Sequence, residues 1–197
     1  MSAPGFGIRD SGFALLVVIV VAACGRTGTQ QAGPPLPFDE DGACPFQCCT
    51  YREWSVEYPT DIRSDRRDAA PVAFHVEMND TVNATTGVVT TTKIGRATAS
   101  RDVRVGANHL LVHAGEPIYL IRNVGGGDWK IWVDGVIDRQ YIPSQGYCTP
   151  DTQSSDECAI KVVDQPVNVW WAQVQNTRGE TGWTREVDHF GNIDACE

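Results

Sequence analysis

Beyond residue 24, no stretch of this 197-residue chain spaces its apolar residues at the i, i+3, i+4, i+7 interval of an amphipathic helix. What recurs is a short apolar cluster or alternation: "VAFHVEM" from Val72, "TGVVTTT" from Thr86, "HLLVHAG" from His109, "PIYLIRNV" from Pro117, "WKIWVDG" from Trp129 and "WWAQVQ" from Trp170. Gly, Asn, Asp and Pro separate these β-branched and aromatic segments. Many short strands with frequent turns predict an all-β fold, as small barrels or a sandwich. Neighbouring residues in a strand point to opposite faces. On that rule Trp129, Ile131 and Val133 face a core, as do Trp170, Ala172 and Val174. Trp132 is then left beside Lys130 and Asp134, and Trp171 beside Gln173 and Gln175. Trp54, Trp129, Trp170 and Trp183 read as structural.

The chain holds seven cysteines, an odd number, so one should lack a sulfur partner. From Phe13 to Ala23 run eleven uncharged residues, mostly Val, Leu, Ile and Ala. A bilayer-spanning helix needs about 20, so the run suits the apolar core of a secretory signal over residues 1–23. It ends Val21-Ala22-Ala23-Cys24. That ending resembles the lipobox of bacterial lipoproteins. The resemblance implies that Cys24 is lipidated on its sulfur, becomes the mature N-terminus and ties the chain to a membrane. Gly25 at the sorting position implies an outer-membrane lipoprotein facing the periplasm. One departure is that Asp10 beside Arg9 leaves only the amino terminus as net positive charge ahead of the run. With Cys24 lipidated six cysteines remain, and an exported chain can pair them.

Removing residues 1–23 takes away Arg9 and Asp10 together, so the remaining 174 residues (197 − 23) keep the full charge of −9. An acidic surface disfavours nucleic acid, whose phosphates need clustered Lys and Arg. The basic residues of "RSDRRD" (Arg63–Asp68) are interleaved with acids and read as a solvated loop. Residues 25–43, "GRTGTQQAGPPLPFDEDGA", show no periodicity. With Cys24 they read as a flexible tether over 24–43, partly stiffened by its prolines.

Three stretches of the body carry a second resemblance. "GEPIYLIRNVGGGDWKIWVDG" (Gly115–Gly135) is similar to the middle of a bacterial SH3-type (SH3b) domain, where a "GD-x-V" strand precedes "GGWYKV-x-x-G". "WWAQVQNTRGETGW" (Trp170–Trp183) resembles the later "G-x-x-GWV" hairpin of another. "PTDIRSDRRDAAPVAFHVEMNDTVNATTG" (Pro59–Gly87) resembles the family's opening half. The resemblance implies two SH3-like barrels in an unusual order. The opening half lacks a tryptophan strand nearby, and the late hairpin lacks an opening half. Residues 44–92 plus 167–197 are therefore expected to complete one discontinuous barrel, with residues 93–166 as a second barrel inserted into it. Tandem barrels divided near residue 100 are the alternative.

The cysteines follow from that resemblance. The termini of an SH3-like barrel lie close together, so Cys196 is expected to bond Cys44, Cys48 or Cys49. Cys148 and Cys158 flank the loop "TPDTQSSDE", and pairing them would pin a local hairpin. The remaining two of the first three would pair with each other. A bond between the adjacent Cys48 and Cys49 would be strained, so Cys44 should take one of them.

No G-x-S-x-G or H-E-x-x-H motif occurs, so no enzyme, metal or cofactor is expected. His109 and His113, if both in one strand, would sit about 13 Å apart, too far for one ion. Binding is the better lead. In SH3-type domains a tryptophan of this strand commonly lines the groove, and the resemblance implies that ligand role for Trp171. Trp132, Tyr119 and Arg122 join it as candidate contacts. The expectation is a non-catalytic, lipid-anchored envelope module binding a cell-wall peptide (peptidoglycan) or a protein partner. A structural accessory lipoprotein of an outer-membrane assembly is the alternative, with a thiol- or metal-dependent enzyme a more distant one.

Overall fold

A computed structural model describes residue 1, residues 33–144, 147–149, 151–152 and 154–196. The apolar run, the lipobox-like ending and Cys24 lie outside the described residues. Residues 32–197 form one compact unit.

The fold is nearly all β. Five strands come first: β1 (Phe38–Asp41), β2 (Glu53–Val56), β3 (Thr60–Arg63), β4 (Val72–Val76) and the long β5 (Thr81–Lys93). Seven follow in chain order: β6 (Gly95–Ala99), β7 (Val103–Val105), β8 (Leu110–Val112), β9 (Pro117–Gly125), β10 (Asp128–Val133), β11 (Val136–Tyr141) and, after the one-turn helix α1 (Asp156–Ala159), β12 (Ile160–Asp164). The last are β13 (Val167–Gln175), β14 (Thr181–Thr184) and β15 (Phe190–Gly191). The first five and last three strands make one curled sheet in the order β15-β2-β5-β13-β14-β3-β4, with β1 also on β5. Strands β6 and β9–β12 make a second sheet, β11-β10-β9-β6-β12, and β7 pairs with β8.

The chain leaves the first sheet after β5 and returns to it in β13, which pairs antiparallel along β5 from Val167–Lys93 to Gln175–Asn83. The exit and return touch. A Cβ on Gly95 would lie 2.6 Å from the Asp164 carbonyl and from Pro166, so only glycine lets the two crossings pass this closely.

Each sheet closes on its own core. Trp54, Ile62, Phe74, Val89, Trp170 and Val174 fill the first, and Trp129, Ile131, Val133, Ile118, Leu120 and Val105 fill the second. The alternation in "WKIWVDG" and "WWAQVQ" thus sends Trp129 and Trp170 inward. Each large side chain removed from water contributes about 1.5–3 kcal/mol, so reversing the faces of either strand would forfeit several such contributions. The Trp170 indole N–H donates to Tyr51 Oη at 3.0 Å, and the Tyr51 hydroxyl donates to the Ala43 carbonyl. Burial raises the Tyr51 phenol above its ordinary pKa, keeping it a neutral donor. Gly87 makes room for this pair, since a Cβ there would lie 2.6 Å from Trp170 Nε1.

Three disulfides staple the fold: Cys44–Cys49, Cys48–Cys196 and Cys148–Cys158. The second joins the C-terminal segment to the loop before β2. An isolated bridge between Cys49 and Asp194 and a hydrogen bond from Ala195 N to Cys48 O align the same two segments.

The tether reading of 24–43 needs correction at its C-terminal end. Phe38–Asp41 is a strand, paired with β5 from Phe38–Thr91 to Asp41–Val88. β2 covers only Thr81–Asn83 of that edge, leaving the far end of β5 open for β1. The acids of this segment have partners. Asp39 accepts from Thr90 Oγ1 at 2.6 Å and pairs with Arg66 at 3.2 Å, and Glu40 pairs with Arg122 at 2.9 Å and with Lys130. Pro34 is buried as well.

A candidate binding groove around Trp171

Trp171 sits on the face of the first sheet opposite the aromatic core. Register carries that face across the strands: Trp171 lies opposite Val88, Gln173 opposite Trp183, and Trp183 opposite Arg63. On β3 the burial alternates, with Ile62 inward and Asp61 and Arg63 outward. A cavity of about 170 Å³ opens here, lined by Asp61, Arg63, Asp68, Trp171, Thr184, Arg185 and Glu186.

Trp171 is only 8% exposed, so its indole is a floor rather than a projecting hook. The walls are ionic and paired. Arg185 reaches Asp68 at 2.9 Å, Arg63 lies 3.9 Å from Asp61, and His75 Nδ1 sits 2.8 Å from the other Asp61 oxygen. Beside the cavity the Arg66 guanidinium lies 5.6 Å over the Trp183 ring. The wall side chains Arg63, Asp61, Arg185 and Asp68 are about a third to two-thirds exposed. Exposed ion pairs of this kind contribute about 0–1 kcal/mol each, so a charged ligand can take over one partner at small cost. Three acids and two arginines around an indole suit a ligand that carries an amine, a carboxylate and an apolar stretch.

The four residues singled out from the sequence do not converge. Trp171 floors the groove but is buried, not exposed to the solvent that its glutamine neighbours suggested. Trp132 and Tyr119 belong to the second sheet, their rings 5.6 Å apart at 67°. Arg122 is not available to a ligand. Its side chain is 11% exposed, paired with Glu40 and donating to the Cys44 carbonyl at 3.2 Å. The physical reason is local. β9 carries an irregularity that leaves Ile121 without a direct partner between the pairs Arg122–Lys130 and Leu120–Ile131. The Ile121 carbonyl accepts from Thr91 Oγ1 and Asn168 Nδ2 of the first sheet, at 3.2 and 3.0 Å. Arg122 is thereby held at the seam between sheets, where Glu40 meets it.

The charged walls were missed in the sequence. Asp68 and Arg66 belong to "RSDRRD", which read as a solvated loop, yet one closes the groove and the other covers Trp183. The only signal was the alternation of "TDIR", which puts Asp61 and Arg63 on one face. His109 takes a left-handed turn conformation before β8, while His113 Nδ1 pairs with Asp102 at 3.0 Å. Among the described residues, the one grouping of possible metal ligands is Cys48, Asp194 and Cys196, and its two sulfurs are joined to each other.

No protein-family model, curated protein or solved structure matches the chain.

Proposed function

We propose that this chain is a lipid-anchored, non-catalytic binding module of the bacterial envelope that holds a cell-wall peptide in the Trp171 groove. In this reading Cys24 carries the lipid, and the body is two SH3-like barrels, with residues 93–166 inserted into the barrel of 44–92 and 167–197. The observation that carries the proposal is the indole of Trp171 at the floor of a cavity walled by Asp61, Arg63, Asp68, Arg185 and Glu186. Wall peptides combine free amines, carboxylates and short apolar side chains, and each finds a counterpart there. The groove presents oriented charges over an apolar floor, which is the form of a recognition site.

The test is co-sedimentation of the detergent-solubilised chain with purified sacculi across salt concentrations. Trp171→Leu and Arg185→Ala are run beside the parent, with circular dichroism as the folding control. The expected result is retention that weakens with salt and falls several-fold in both variants. Absence of retention at every salt would overturn the wall-peptide reading and leave a protein partner as the ligand.

A further inference from the structure

The second sheet carries an aromatic and aliphatic row on the face turned away from its core. Trp132 of β10 lies directly opposite Ile137 of β11 on one side and Tyr119 of β9 on the other. Ile137 is 42% exposed, and Trp132 and Tyr119 are half-buried. The neighbouring position on the same face pairs Lys130 with Arg139, and Arg139 is exposed. Lys130 and Arg122 point the same way but are taken up by Glu40. Beyond them on the same face lie Tyr119, Trp132 and Ile137.

The chain enters the described structure at this row. A Cβ on Gly33 would lie 3.4 Å from the Tyr119 ring, so the backbone of Gly33 rests on it. Nine Cα steps separate Cys24 from Gly33 in the sequence. Whatever their course, they span at most about 30 Å. A lipid on Cys24 therefore holds a bilayer surface within about 30 Å of Tyr119.

We infer that Tyr119, Trp132 and Ile137 form the face that the body lays on its own membrane, the rings at headgroup depth and Arg139 beside lipid phosphate. Tryptophan and tyrosine concentrate at that depth because their rings are apolar with one polar edge. Three side chains are too few to bind a bilayer from solution, and the acidic chain gains no general attraction to an anionic surface. An anchor on a short tether changes the problem, because the contact becomes intramolecular at an effective concentration of roughly millimolar. The inference rests on the lipid anchor at Cys24.

The experiment uses the full chain, processed by its host and reconstituted into vesicles of phosphatidylethanolamine with a minor share of phosphatidylglycerol, their acyl chains brominated near the headgroup. Bromine quenches tryptophan fluorescence at contact. Trp54, Trp129, Trp170 and Trp171 are each no more than 8% exposed, and the half-buried Trp183 belongs to the first sheet with Arg66 over its ring, so Trp132 should dominate the quenching. Loss of most of the quenching in Trp132→Phe, and a clear reduction in Ile137→Asp with Trp132 in place, is the expected result. Mass spectrometry of the Cys24 peptide is read on the same sample. A lipidated chain whose quenching is absent, or unchanged in both variants, overturns the membrane face while leaving the anchor, and points to a protein on this row. An unlipidated Cys24 removes the anchor, and the inference falls with it.

Discussion

Cys48 and Cys196 stand 148 residues apart in the sequence and 5.7 Å apart between Cα atoms, joined by a disulfide. The bond ties the last described residues to the loop before β2, so nearly the whole body lies inside one covalent loop. Cys148–Cys158 closes a loop with a separation of only 10. The two bonds should differ in worth, because loop-closure entropy grows with the logarithm of loop length.

Replacing both Cys48 and Cys196 with serine should cost about 4–5 kcal/mol of stability, and replacing both Cys148 and Cys158 about 2–3 kcal/mol. Urea denaturation of each pair against the parent checks the ordering. Equal losses would mean that loop entropy does not govern the difference.

Glu40 carries two cations where its side chain is 8% exposed. Glu40→Ala would leave Arg122 charged and nearly buried without its acid, a change that typically costs about 3–5 kcal/mol. The loss should be localised. Hydrogen exchange in β1 and at Arg122 should accelerate well before exchange in β13, and a uniform acceleration would contradict the seam role given to this ion pair.

Gly87→Ala brings a methyl group against Trp170 and Tyr51 in the first core. Overpacking of this kind costs about 1–3 kcal/mol. A lower Tm with a changed near-ultraviolet tryptophan signal is the expected outcome, and an unchanged signal would show that the pair does not need the space.

His113 and Asp102 supply a pH dependence. The hydrogen bond to Asp102, then its charge, holds the His113 imidazolium above the ordinary histidine pKa. Asp102 is held below the usual carboxylate range, first by the Ala114 backbone N–H and then by His113. Because the folded value of His113 lies above the unfolded one, the pairing contributes fully below the ordinary histidine value and is lost as pH rises through the raised one. Asp102 works at the acid end, its contribution lost as pH falls through its lowered value. An NMR titration should place the His113 midpoint above that of a free histidine, and Asp102→Asn should lower it toward the free value, with the nearby Glu116 charge still favouring the imidazolium.

How much of this was legible depends on which residues are compared. The inward tryptophans 129 and 170 follow from strand alternation, since a slip of one residue would turn each entire strand inside out. The disulfide near Cys148 follows from two cysteines flanking one polar loop. The strand Phe38–Asp41 was hidden because its residues are acidic and proline-flanked, and no short-range pattern shows that Thr90, Arg66, Arg122 and Lys130 await those carboxylates. Arg122 was misread for the same reason: its partner is 82 residues away in the chain.

The sequence by itself determined that this chain would be β, where its turns fall and that Trp129 and Trp170 turn inward, because these depend on neighbours one and two residues away. Only the tertiary structure decided that β5 and β13 pair along their length, that Glu40 closes the seam between sheets, and that Asp61, Asp68 and Arg185 gather around Trp171. Those contacts join side chains tens of residues apart or more. Their energies depend on burial and on the distance between charges, which exist only once the strands are in register.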